Sequence, residues 1–249
     1  MTSMEWTLLS NILHAYDATE TLTQMKTLLN DQVALPAKLR GKPSAMFSIV
    51  RYLYSTVHEL VAKCPIYYEL PKEVRETLIK KNTETCGTYH AIFLIRETNA
   101  LDYGAFANGC MRVYGPETMA NANEFFGKLE SNGTLVKLML FLSVFSSNTA
   151  IVTFKPNQSS SSTYAMILFE IQNTIVTMLW KYLVYQFGFT GGVRYLNGLV
   201  KYLLDILATT DRFAKDDHWK MMDIIVEEMA DCSIRNDSIR SIAQANFSH

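Results

Sequence analysis

The chain has 249 residues, 49% of them hydrophobic, which is enough to bury one sizeable core and fits a single domain over residues 1–249. Its 23 basic and 24 acidic residues leave a net charge of -1, which excludes a general electrostatic attraction to nucleic acid or to an anionic membrane. The four cysteines, Cys64, Cys86, Cys110 and Cys232, lack the close pairing that builds a zinc site or a secreted disulfide framework, so a reducing intracellular compartment is expected.

The N-terminus carries the acidic Glu5 and no basic region ahead of an apolar run, unlike a signal peptide. The most apolar stretches, Leu135 to Phe145 and Ala165 to Phe187, are too short to span a bilayer or are interrupted by Glu170, Gln172, Asn173 and Lys181. Only 11 Gly and 6 Pro are spread along the chain, leaving long segments free of helix breakers.

Ser3 to Ala18 places Trp6, Leu9, Ile12, Leu13 and Tyr16 at helical steps, with Ser3 as the expected N-cap. A second helix is expected over Thr21 to Asn30, and then Gln32 to Ser44, with Pro36, Gly41 and Pro43, loses periodicity and reads as a loop. From Ala45 to Cys64 the positions Phe47, Val50, Tyr54, Val57 and Val61, widened by Met46, Ile49, Leu53 and Leu60, make a helix apolar on two faces, as in one sandwiched between others. Pro65 and Pro71 bracket a short link. Lys72 to Lys81 starts another helix, and Tyr89 to Ile95 continues it as a nearly unbroken apolar run at the centre of the expected core.

Between Ala100 and Gly115, aromatic and small residues alternate around three glycines, which predicts a short β-hairpin. Further helices are expected over Pro116 to Ser131, Leu135 to Ser146, Tyr164 to Phe187, Gly192 to Phe213 and Asp216 to Met229. Phe187-Gly-Phe-Thr-Gly-Gly reads as a helix stop and turn. The serine run Ser159 to Ser162 reads as a loop tip, and Ile234 to His249 as an amphipathic tail. The fold class is therefore all-α with one short β-hairpin.

The chain shows no nucleophile elbow, phosphate loop or dinucleotide fingerprint, and no enzyme is expected. Asp216, Asp217, His218, Asp223 and Glu227 lie near Trp219, but acidic residues at a helix start favour the helix dipole, and no metal or acid–base site is expected there. Cys64, beside Lys63 at the end of a buried helix, reads as a small apolar filler rather than a reactive thiol. His90 lies inside an apolar helix, where its polar tip needs a partner. That partner is either another core group or a mostly apolar ligand, since sparse polar contacts orient molecules in greasy pockets.

Phe47 to Lys80, FSIVRYLYSTVHELVAKCPIYYELPKEVRETLIK, resembles the helix 3 to helix 4 signature of nuclear hormone receptor ligand-binding domains. In that family a long helix ends in Ala-Lys, followed by Pro, an aromatic, Leu, a short polar stretch and Leu-Leu-Lys. Here these are Ala62, Lys63, Pro65, Tyr67 or Tyr68, Leu70, Leu78, Ile79 and Lys80. The opening Glu5-Trp6 helix, the Phe106-Ala-Asn-Gly segment, the Phe169 to Phe187 helix and the Tyr195 to Leu207 helix follow in the family's order, so the resemblance covers residues 1 to 215. The first helix is nearest to the thyroid, vitamin D and ecdysone receptor branch. The family's Asp-Gln pair is Val74-Arg75 here, and the arginine common in the next helix is replaced by His90.

The resemblance implies a three-layer antiparallel helical sandwich around a cavity for a steroid- or fatty-acid-like lipophilic ligand, with no other cofactor. It implies that Phe47, Val50, Arg51, Tyr54, Ser55, His90, Phe93, Leu94 and Phe106 surround that cavity. A coactivator or corepressor peptide helix would dock in a groove flanked by Lys63, Arg75, Ile79 and Lys80, where Lys63 meets the partner's helix C-terminus. Glu228, in Ile225 to Ala230, is the implied activation-helix glutamate at the other end. The helix Tyr195 to Leu207 is the implied homo- or heterodimer surface, the implied location is the nucleus, and the DNA-binding domain is not part of this chain. Two alternatives stand beside this reading: an orphan receptor-like interaction domain with a cavity filled by side chains, and an unrelated all-helical protein-interaction domain.

Overall fold

The structure, a computed structural model, describes residues 1–146, 164–213, 220–229 and 231. The expected serine loop tip Ser159 to Ser162, the Asp216 to Trp219 cluster, Cys232 and the tail Ile234 to His249 lie outside the described residues. Every regular element among the described residues is helical. None of these helices is long and apolar enough to cross a membrane.

Helix α1 (Ser3–Asp17) is capped by Thr2 rather than Ser3: the Thr2 hydroxyl accepts from the Glu5 amide, and the Glu5 carboxylate accepts from the Thr2 amide. That reciprocal capping box satisfies two donors that the first helical turn would leave unpaired. Its inner face, Leu9, Ile12, Ala15 and Tyr16, is buried. Helix α2 (Thr21–Ala34) runs one turn past the expected end, and the following loop holds a single 3-10 turn, Ala37–Leu39.

Helix α3 (Pro43–Ala62) starts on a proline, whose fixed φ and missing amide suit a first helical position. It buries both faces, as the two-sided apolar pattern implies. The Pro65 to Pro71 link contains a short helix, α4 (Pro65–Glu69), and leads into α5 (Lys72–Glu97). Helix α5 is the central element, lying along α3 and against α8 (Gly133–Val144) and α9 (Ala165–Phe213), with α2 and α7 (Pro116–Lys128) also in contact. Its buried polar groups have assigned work. The Asn82 amide nitrogen donates to the carbonyls of Val144 (2.7 Å) and Ser146 (2.8 Å), which closes the C-terminal end of α8 (Gly133–Val144). Arg96 Nη1 does the same for the carbonyls of Leu129 (2.9 Å) and Glu130 (2.8 Å).

The hairpin expected over Ala100 to Gly115 is not formed. That stretch is a 3-10 turn (Ala100–Asp102) followed by α6 (Gly104–Tyr114). The small residues serve helix packing, not strand turns: a Cβ on Gly109 would fall 2.3 Å from Met46 Sδ, so glycine is what lets α6 approach α3. Gly115 separates α6 from α7 (Pro116–Lys128), which opens on its proline.

Helix α9 (Ala165–Phe213) is two helices joined at Gly188, whose φ of 68° and ψ of 176° lie outside the helical region. The bend is sharp. Phe187 and Tyr195 stack with ring centroids 4.0 Å apart, whereas eight residues of straight helix span about 12 Å. Residues 220–229 form a further helix that buries Met221, Met222, Ile225 and Met229 along one stripe.

A candidate ligand cavity beneath α7

A cavity of about 170 Å³ lies where α3, α5, α6 and α7 meet. Val50, Leu53 and Tyr54 of α3 form one wall, and Thr88, Ala91, Ile92 and Ile95 of α5 a second. Phe106, Cys110 and Tyr114 of α6 make the third. Helix α7 covers it with Thr118, Met119, Asn121, Ala122, Phe125 and Phe126, while Leu101 and Ile206 of α9 complete the lining. The volume is below the roughly 300–1,000 Å³ of sites that enclose drug-sized molecules.

Local sequence explains each wall. On α5, Thr88, Ala91, Ile92 and Ile95 recur at i, i+3, i+4 and i+7 and so form one stripe. Gly87 makes room for the Tyr54 ring, since a Cβ there would lie 2.2 Å from Tyr54 Cδ1. Tyr54 and Thr88 hydroxyls pair at 3.1 Å at the edge of the cavity. Burial pushes the Tyr54 phenol and the Cys110 thiol each up to about 12, and Tyr114 well above its ordinary value, so all three stay protonated at neutral pH. Helix α7 differs from the other walls: none of its residues is fully buried.

Of the residues expected around a ligand, Val50, Tyr54 and Phe106 line this cavity. Phe47 is half-buried against the core outside the lining, and the Ser55 hydroxyl donates to the Tyr52 carbonyl of its own helix. Arg51 is exposed and paired with Glu228 at 2.7 Å. His90, Phe93 and Leu94 are buried on the opposite side of α5. His90 Nε2 pairs with the Tyr16 hydroxyl at 2.8 Å and Nδ1 with Thr56 Oγ1 at 3.2 Å, tying α1 and α3 to α5. Desolvation holds the imidazole down to about 3, so it is neutral over the physiological range. Sequence reasoning missed the lining supplied by α7. Its signal in the sequence was the spacing of Thr118, Met119, Ala122 and Phe125 along one helical stripe, and the structure leaves all four half-buried.

The residues expected to flank a partner groove are spread over different tasks. Lys63 Nζ donates to the Ala18 carbonyl at 2.6 Å and closes the end of α1. Arg75 is buried, with Nη1 donating to the Leu70 carbonyl at 2.8 Å and its guanidinium over the rings of Tyr67 and Tyr68. Lys80 is exposed and Ile79 buried. Between α3 and α5, Val57, Val61, Tyr67, Leu78, Ile79 and Met229 surround a void of only about 20 Å³, and all are buried. The Thr83 hydroxyl meets Met229 Sδ at 3.9 Å, which seats the 220–229 helix on α5.

A wetter furrow of about 440 Å³ borders Lys128, Glu130, Arg194, Tyr195 and Tyr202. Arg194 and Gly198 on its rim are exposed, and its lining is more polar than that of the cavity beneath α7. Among the described residues no group of three His, Cys, Asp or Glu side chains is arranged to hold a metal ion. No protein-family model matches the sequence, and no curated protein matches it.

Proposed function

We propose that the chain is the ligand- and coregulator-binding domain of a nuclear-receptor-type transcription regulator, taking a lipophilic ligand in the cavity beneath α7. The observation that carries this reading is the apolar cavity itself, bounded by α3, α5 and α6, the segments that the resemblance to nuclear receptor domains assigns to a ligand. Helix α5, packed between α3 and α8, would be the middle layer of a three-layer sandwich.

A partner helix would dock beside Lys63 and Lys80, with Glu228 at the far end, and would have to uncover Val57, Val61, Leu78 and Ile79 to gain apolar contact. A dimer would use the second half of α9, where Val193, Val200 and Leu204 stay exposed while Leu199, Tyr202 and Ile206 face the core. Nuclear localisation follows from this role.

The small volume favours one second reading, an orphan interaction domain whose cavity side chains nearly fill. Native mass spectrometry of the purified chain, followed by denaturing extraction, separates the two. A stoichiometric lipophilic molecule supports the ligand-regulated reading. A clean apo mass, with no thermal stabilisation by added lipophilic compounds, supports the orphan domain.

A further inference from the structure

We infer that the cavity beneath α7 selects an uncharged ligand of one or two fused rings and rejects any ligand with an ionised head, fatty-acid carboxylates included. The inference rests on the proposal that this cavity is the ligand site, and it narrows the ligand class in two independent ways.

The first is size. A cavity of about 170 Å³ is close to the roughly 150 Å³ apolar cavity that, engineered into another protein, stays dry and binds benzene. One ring, or two fused, fills such a space, whereas a steroid would extend beyond it.

The second is charge. Among the described residues that line the cavity there is no Lys, Arg, His, Asp or Glu. Of the cations on neighbouring turns, Arg51 is paired with Glu228 and Arg96 with the Leu129 and Glu130 carbonyls, while Arg112, between Cys110 and Tyr114 on α6, is exposed and outside the lining. An anion entering here would give up its hydration with no cation to replace it. The polar groups that are present are neutral. The Tyr54 and Thr88 hydroxyls sit on one side, and Thr118 and Asn121, three residues apart and so on one face of α7, sit on the other. They suit a ligand carrying one or two hydroxyl, carbonyl or amide groups.

The test uses the full chain and two probes of nearly the same shape, 4-methylbenzyl alcohol and 4-methylbenzoate, with affinities measured by ligand-observed NMR between pH 6 and pH 8. The alcohol is expected to bind with an affinity independent of pH. The benzoate is expected to enter only as its neutral acid, so its affinity falls roughly tenfold per pH unit, about 100-fold over the range. Two filling variants, Ala122→Phe and Ala91→Leu, each checked for helix content, are expected to abolish alcohol binding. A benzoate that binds as tightly as the alcohol at pH 8, and is lost in the filled variants, overturns the charge inference while leaving the ligand site standing. If neither probe binds, or alcohol binding survives both variants unchanged, the cavity is not the ligand site and both readings fall.

Discussion

Replacing Gly87 by alanine tests how the core of α5 shapes the cavity. The added Cβ would lie 2.2 Å from Tyr54 Cδ1, 2.8 Å from Cγ and 2.9 Å from Cε1, so the ring has to retreat by about 1 Å to reach ordinary contact. Retreat carries it toward the cavity that it lines and strains the hydroxyl pair with Thr88. Overpacking of this kind costs about 1–3 kcal/mol, and a weakened buried hydrogen bond about 1 kcal/mol. Against that, alanine is favoured over glycine inside a helix by about 1 kcal/mol. Strain wins, and Gly87→Ala is expected to destabilise by about 1–3 kcal/mol in urea unfolding and to weaken binding of 4-methylbenzyl alcohol. Without the Tyr54 ring the sign inverts: in a Tyr54→Ala background the same substitution is expected to stabilise by about 1 kcal/mol. If Gly87→Ala alone stabilises the wild-type chain by that amount and leaves probe binding unchanged, the Gly87–Tyr54 contact does not shape the cavity.

Three further outcomes follow from groups outside the cavity. Unfolded His90 takes up a proton near 6.5 while the folded residue is held down to about 3, chiefly by desolvation, so its burial stabilises fully above pH 6.5 and less as pH falls toward 3. The loss is about 2 kcal/mol at pH 5, and in urea titrations at pH 7 and pH 5 His90→Gln should remove it; equal losses in variant and wild type would contradict a neutral buried imidazole. Met229 is buried whereas Glu228 meets Arg51 across a solvated pair, so Met229→Ala is expected to cost about 2–4 kcal/mol and Glu228→Ala no more than about 1 kcal/mol by chemical denaturation. Asn82→Leu leaves the Val144 and Ser146 carbonyls without their amide donor and is expected to cost about 2–3 kcal/mol, with faster hydrogen exchange at the C-terminal turn of α8.

The order and type of the helices were legible because periodicity and breakers report them directly. Pro43, Pro65, Pro71 and Pro116 mark helix starts, and Gly188 marks the bend in α9. The hairpin expected over Ala100 to Gly115, which is helical instead, shows where such reading fails. Glycine in sequence reports that a side chain is missing but not why, and Gly109 is there for the sulfur of Met46 rather than for a turn. Close approach between helices distant in sequence leaves no local mark.

The site was half legible for a related reason. Helix α5 is apolar all round near His90, so hydrophobic spacing could not say which face borders a cavity. At about 100° per residue, Thr88, Ala91, Ile92 and Ile95 cluster within roughly 60° of one another's mean direction, while His90, Phe93 and Leu94 lie about 140–240° round from Thr88. The expected trio therefore sits opposite the cavity stripe. On α3 the same rotation separates Val50 and Tyr54, which line the cavity, from Arg51 and Ser55, about 100° and 140° round from Val50. Arg51 and His90, both outside the cavity, are the two expected residues that would have brought charge or an imidazole to a ligand. The face that the fold does present is neutral, and it is on that difference that the proposal of an uncharged ligand rests.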